Sequence, residues 1–211
     1  MILDAAVLFF AERGFEAQLG ELTERLGVSQ GLIFRYFGNK RTLIERVYEQ
    51  VYVARWLPAW ERMLRDRTHP LEMRLVNFYR SYLDAVDDYV WIRTALYSGL
   101  AGNDLTRRYI ITRVEKLLKI IMAEIASGEA NADDLTECDR LHELAWHLHS
   151  TFIYYLIRKY VYRVPVTSDR DAFIETVVHN FVAAFPGLSA TDKVESLLDG
   201  TRERYTGRPG H

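Results

Sequence analysis

The octapeptide HELAWHLH, His142 to His149, offers three imidazoles and a carboxylate within two helical turns. It begins like the H-E-x-x-H motif, in which two histidines one turn apart hold zinc and the glutamate serves as general base. Trp146 stands where the second histidine must be, so the hydrolytic motif is broken. His142 and His149 still share a face at i, i+7, and Glu143 pairs with His147 at i, i+4. That leaves a metal-binding protein or enzyme centred on His142–His149 as the alternative to histidines that pack or line a pocket, because ligation requires converging side chains. The single cysteine, Cys138, excludes an intramolecular disulfide and a cysteine-based zinc site; it reads as a small buried apolar residue. The chain has no phosphate-binding glycine loop, nucleophile elbow or acid pair, so no catalytic residue, cofactor or metal is assigned.

A different chemistry is written in GVSQGLIFRYFGNKRTLI, Gly27 to Ile44. Gln30, Gly31, Leu32, Phe34, Arg35 and Tyr36 fall on positions where a solvated helix would carry Glu and Lys. A glutamine amide makes bidentate bonds to adenine, and Leu or Phe presses against thymine methyls in a major groove. Ser29 and the helix N-terminus offer donors to a phosphate. Lys40 and Arg41 lie one turn beyond, placed for a sugar-phosphate backbone.

Helices must position these residues. Nearly every segment repeats with a 3.6-residue period and no alternating strand pattern appears, so the fold class is all-α. Ile2, Leu3, Ala6, Phe9 and Phe10 stripe a first helix ended by Gly14. Leu19, Leu22 and Leu26 stripe a second that closes at Gly27. Ser29 caps a third carrying Ile33, Phe34 and Phe37, and Asn39 caps a fourth running through Val51 toward Pro58. Small Thr23, then Gly27, then Val28 is helix-turn-helix spacing. Leu22, Leu26, Val28, Ile33 and Tyr36 are expected where the two crossing helices press together. An ordinary αα-hairpin, or an interaction module with a purely structural helix-turn-helix, is the competing reading.

Longer helices follow. One starts at Pro70 and buries Leu75, Phe78, Tyr79, Tyr82 and Val86. A short one spans Trp91 to Leu100, and another runs from Asn103 to Ile125. Leu135 to about Tyr162 is apolar nearly all round, which implies burial on more than one face. Ser168 is expected to cap a last helix that stops at Pro186-Gly187. SGEANADD reads as a polar loop and TRERYTGRPGH as loosely held tail.

The 211 residues carry a net charge of −2, with 49% apolar and 13% aromatic side chains. Such a balance does not advertise a nucleic-acid binder. Local charge answers the objection, since Arg35, Lys40, Arg41 and Arg46 face only Glu45 in that stretch, and each neutralised phosphate contributes about −0.9 to the log–log salt slope. No apolar run approaches membrane-spanning length, and MILDAAVLFFAERG lacks a signal peptide's basic start and cleavage site. The expected location is cytoplasmic. The abrupt helical start leaves open whether a basic arm precedes it.

ILDAAVLFFAERGFEA…LTERLGVSQGLIFRYFGNKRTLI resembles the N-terminal domain of the TetR (tetracycline-repressor-like) family of regulators. The resemblance covers Ile2 to about Val47 through the A-x-x-x-F-x-x-x-G-F start, the L-G-V-S turn and the aromatic-x-x-F-x-x-K close. It implies a homodimer on palindromic double-stranded operator DNA, with half-sites about 34–36 Å apart. Gln30, Gly31, Leu32 and Phe34 would face bases; Tyr36 and Lys40 would hold phosphates. It further implies pairing of the last two long helices across the dimer, and a small apolar or aromatic effector enclosed by Trp60, Tyr79, Tyr82, Trp91, Tyr97, Trp146, His149 and Tyr155. The expected organisation is a helix-turn-helix domain (1–48), an effector-binding and dimerisation domain (49–187) and a tail (188–211). The expected function is a ligand-responsive regulator, read as a repressor. Three positions depart from the family pattern. EAQLGEL is one residue short before the second helix and offers Ala17 and Gln18 instead of Thr or Ser, Gly20 replaces a polar side chain, and Phe34 replaces a tyrosine.

Overall fold

The computed structural model describes residues 2–102, 104–126 and 135–185, with the backbone alone for 135–139. The loop 127–134, the tail and the Cys138 side chain lie outside this set. Among the described residues every regular element is helical.

The N-terminal unit comprises α1 (Ile2–Arg13), α2 (Leu19–Leu26), α3 (Gln30–Phe37) and α4 (Lys40–Tyr48). Short helices are marginal alone, and here each end is fixed locally. Gly27 takes φ 63°, and the amides of Gly27 and Val28 bond back to the Glu24 and Thr23 carbonyls. That pairing closes a helix with a left-handed residue. Ser29 Oγ accepts the Leu32 amide at 3.3 Å and Asn39 Oδ1 accepts the Thr42 amide at 2.9 Å. Phe9, Phe10, Leu22, Ile33, Leu43 and Val47 meet in the fully buried centre. Among the described residues that precede α2, α3 and α4, Gln18 before α2 is the one that makes no side-chain cap.

Helix α4 does not stop at the unit's edge. A π-helical turn, Glu49–Val53, carries its axis into the body, where the simple sequence pattern implies uninterrupted α-helix. Tyr52 on that turn is buried, its Oη 2.8 Å from Thr94 Oγ1 and donating to the Trp91 carbonyl at 3.1 Å. The body then adds α5 (Ala59–Arg65), α6 (Leu71–Val86), α7 (Tyr89–Leu100), α8 (Asp104–Tyr109), α9 (Glu115–Ala126), α10 (Leu135–Ile157) and α11 (Arg170–Ala183). Helix α5 was not legible as periodicity because Pro58 and the seven-residue length leave too few repeats. Two more π-turns continue α8 and α10, at Ile110–Val114 and Arg158–Tyr162. Asp169, not Ser168, caps α11: its carboxylate accepts the Ala172 amide at 2.9 Å, three residues on, the spacing a cap requires.

Helix α6 is the body's axis, packed against α5 and α11. Near its start Arg74 and Arg67 both grip Glu124 of α9, at 2.8 and 3.0 Å. Burial pushes the Glu124 carboxyl up, but the hydrogen bonds from Arg67 and Arg74 outweigh it and leave the group below its ordinary value. Near its end Asp87 accepts Lys159 Nζ at 2.8 Å, while Arg170 pairs with Asp84. These pairs fix α9, α10 and α11 around the axis.

Head and body join through α7. Arg93 Nε donates to the Ala11 carbonyl at 2.7 Å, and Tyr97 Oη donates to the Glu12 carbonyl at 3.2 Å. Carbonyls of a last helical turn have no partner within the helix, so two α7 side chains complete the end of α1. Gly14 follows at φ 82°, with the Tyr97 ring 2.9 Å from where a Cβ would stand.

Candidate nucleic-acid interface and internal aromatic cluster

Two groups of side chains stand out, one on the surface of the head and one inside the body. On α3 the buried seam is Ile33, with Leu32 and Phe37 half-buried. Packing of this seam on α2 turns Gln30, Gly31, Phe34 and Arg35 outward together. Phe34 is 42% exposed and Tyr36 69%. Tyr36 therefore does not press between the crossing helices as its spacing suggested; one turn past Leu32, it points past the seam to solvent.

The substitution at Gly20 has a structural counterpart. A Cβ there would lie 3.5 Å from Gln30 Nε2, so the glutamine amide rests against the bare backbone of α2. A long polar side chain at Gly20 would claim the same space. Ser29 spends one lone pair on its cap and keeps its O–H free to donate. Lys40 and Arg41 open the next helix; Arg41 Nε pairs with Glu45 at 3.3 Å. Both cations also line a groove of about 600 Å³ with Phe15, Leu105 and Arg108, where the head meets the body. Ser29, Gln30, Gly31, Phe34, Arg35 and Tyr36 are thus exposed, while Leu32 and Lys40 are half-buried.

Inside the body, Tyr82 is the hub. Its ring centroid lies 5.3 Å from Trp60, 5.3 Å from His149, 6.4 Å from Tyr79 and 6.5 Å from Trp91. Tyr79 stacks on Phe152 at 4.0 Å, and Trp146 stands edge-on to His149 at 6.2 Å. Trp60 Nε1 donates to Ser81 Oγ and Trp146 Nε1 to Glu115 Oε1. By contrast Tyr79 Oη, Tyr82 Oη and Trp91 Nε1 are buried with no hydrogen-bond partner. Burial alone pushes the Tyr79 phenol up and the His149 imidazole down to about 4. Burial, then the neighbouring Tyr109, pushes Tyr82 up as well.

Six of the eight sequence-picked residues meet here: Trp60, Tyr79, Tyr82, Trp91, Trp146 and His149. Tyr97 does not, being the side chain that closes α1. Tyr155 does not either; it stacks on Phe173 of α11 at 5.2 Å. Sequence reading missed Tyr52, Trp56 and Tyr109, whose rings join Trp60 and Trp91. A signal existed for two of them, since Tyr48, Tyr52 and Trp56 recur every four residues. The histidines of HELAWHLH part company: His142 lies 3.3 Å from Glu115, His147 is exposed, and His149 is buried.

No curated protein matches the chain. Residues 2–47 match the family model described as bacterial regulatory proteins, tetR family. A domain of this kind at residues 2–47 implies a DNA-binding transcriptional regulator.

Proposed function

We propose that the chain acts as a homodimeric repressor on a palindromic operator and is released by a small apolar or aromatic effector. One observation carries the reading: the outward face of α3 presents an amide, a glycine and an aromatic ring where a solvated helix would present charges. In this reading residues 1–48 read DNA, 49–187 bind effector and dimerise, and 188–211 form a tail. Gln30, Gly31, Leu32 and Phe34 face bases, while Ser29, Arg35, Tyr36 and Lys40 hold phosphates. Such a regulator works where the DNA is, in the cytoplasm, and no described helix is long and apolar enough to cross a membrane.

Dimerisation through α10 and α11 is supported by small exposed residues on α11, Ala172, Thr176 and Ala183, which permit close helix approach. Pairing two copies supplies two half-sites, which one short recognition helix cannot. The Trp60–Tyr82–His149 cluster supports the effector site: aromatic walls with unmet polar atoms suit an aromatic ligand. Effector binding shifts the dimer's population toward a form that fits the operator poorly, by as much as its affinity differs between forms.

The test is fluorescence anisotropy on duplexes from the promoter of the chain's own gene. Lys40→Ala should weaken binding to all duplexes several-fold and reduce the salt slope by about one. Gln30→Ala should instead lose about tenfold or more discrimination at one base pair. Unchanged binding in both variants sinks the proposal.

A further inference from the structure

We infer that the aromatic cluster of the body accepts an uncharged, flat molecule carrying a hydrogen-bond acceptor, which Trp91 Nε1 and Tyr79 Oη bind. The inference rests on the effector-site reading above and adds the chemistry of the ligand.

The argument starts from what these atoms lack. Buried polar groups are nearly always partnered, and each exception in a native structure asks for a cause. The other unpartnered atoms in the body are Nε atoms of Arg74, Arg80 and Arg158, and Arg74 and Arg80 use their remaining guanidinium nitrogens in ion pairs. Tyr79 and Trp91 have no such second contact for their polar atom. Both flank Tyr82, whose own hydroxyl has the Tyr109 side chain beside it. An indole N–H can only donate. The molecule that completes this cluster must therefore bring an acceptor.

Shape and charge narrow the class. Tyr79 and Phe152 lie stacked, while Trp60, Tyr82 and Trp91 meet edge to face, so the walls are aromatic and suit a planar ring. Arg113 lies over Trp56 at 5.3 Å, but among the described residues no cation lies over Tyr79, Tyr82 or Trp91. The Glu115 carboxylate is taken by Trp146 Nε1 and His142, and that of Asp88 by the Trp91 backbone amide. The phenols stay protonated and His149 stays neutral at physiological pH. A carboxylate or ammonium brought beside Tyr79, Tyr82 and His149 would lose its water and find no counter-charge there. Half-buried Trp146 marks the way in: it lies beside His149 and also lines an outer groove of about 510 Å³ with Leu144 and His147.

Isothermal titration of the full chain with three probes tests the inference: 2-acetylnaphthalene, naphthalene and 2-naphthoate, at pH 7.5. The ketone should bind about tenfold more tightly than naphthalene, the worth of one hydrogen bond. It should bind at least a hundredfold more tightly than the carboxylate. Tyr79→Phe keeps its ring and removes the hydroxyl, while Trp91→Phe removes the indole N–H together with part of that wall. Each should shrink the ketone's advantage over naphthalene to about threefold or less, a ratio in which any loss of wall common to both ligands cancels.

Equal binding of ketone and carboxylate overturns the inference, and so does an undiminished ketone preference in the double variant. Failure of all three probes with a chain that still binds its operator also overturns it, since ordered water then satisfies the buried atoms. That result leaves the DNA-reading proposal standing. The expected probe ranking in a chain that binds no operator does the reverse.

Discussion

The head and the body solve opposite problems with their polar groups. In the head, polar side chains bond to backbone three residues away: Ser29 to Leu32, Asn39 to Thr42, Thr23 to Gly20. Among the described residues, no buried side-chain polar atom without a partner lies before Arg74. In the body, hydroxyls and an indole N–H are buried among rings from helices far apart in sequence and left without partners. A unit that docks as a rigid key benefits from complete internal satisfaction, because nothing need rearrange on contact. A unit that responds to a small molecule benefits from the reverse, because an unmet donor is free energy that a ligand can recover.

The largest expected effect separates the two regions by pH. The first 50 residues hold no histidine, and all four tryptophans lie beyond them. His149 is 3% exposed, and no charge from the elements packed on it shifts its protonation; burial alone lowers it to about 4. Its folded value lies below its unfolded value, so between pH 6.5 and about 4 the unfolded chain binds the extra proton. Stability is full above pH 6.5 and declines as pH falls, by roughly 3 kcal/mol at the end of that window. Urea unfolding followed by tryptophan fluorescence, which reports the body, should show the loss. His149→Phe should flatten its slope. An equal slope in both proteins would break the contrast between regions.

Legibility follows the same division. The head's caps, its Gly27 turn and its aromatic spacing are local, so a single chain read in order exposes them. The long helices of the body were visible as periodicity, but their partners were not. Tyr97 and Tyr82 have the same residue type and sit in similar apolar runs. Only the three-dimensional crossing of α7 with α1 sends the first to a helix end, and only the packing of α6 sends the second to the core. The π-turn at Glu49–Val53 leaves no mark in composition, yet it sets the angle that brings Tyr52 to Thr94. Gly20 was legible as a departure; its meaning appeared only when Gln30 was seen lying on it.

The junction offers a sharper comparison. Gly14 and Gly27 both hold positive φ, at 82° and 63°, but only Gly14 has a neighbour where a Cβ would go. Gly27→Ala should cost about 1 kcal/mol, the strain of a left-handed alanine. Gly14→Ala adds a clash with the Tyr97 ring, for about 2 kcal/mol in all, and should raise hydrogen exchange at the end of α1 and in α7 together. Equal urea midpoints for the two variants would mean that the Tyr97 ring gives way freely and that α7 does not clamp the head.

The smallest effect concerns the uncapped start of α2. Gln18 has the extended backbone of a cap, φ −75° and ψ 137°, but its side chain bonds nothing in α2. Glu21 stands three residues later, the position from which a glutamate reaches back in a capping box. Gln18→Ser would therefore complete Ser-Leu-Gly-Glu as such a box and should stabilise the chain by about 0.5–1 kcal/mol. Gln18→Ala is the control and should change little, because the glutamine has no cap bond to lose. Thermal unfolding of the three proteins decides it. A gain in the serine variant alone means the head is fully satisfied except where it departs from its relatives. A loss in the alanine variant means Gln18 contributes something besides a cap, and the contrast between a finished head and an unfinished body weakens accordingly.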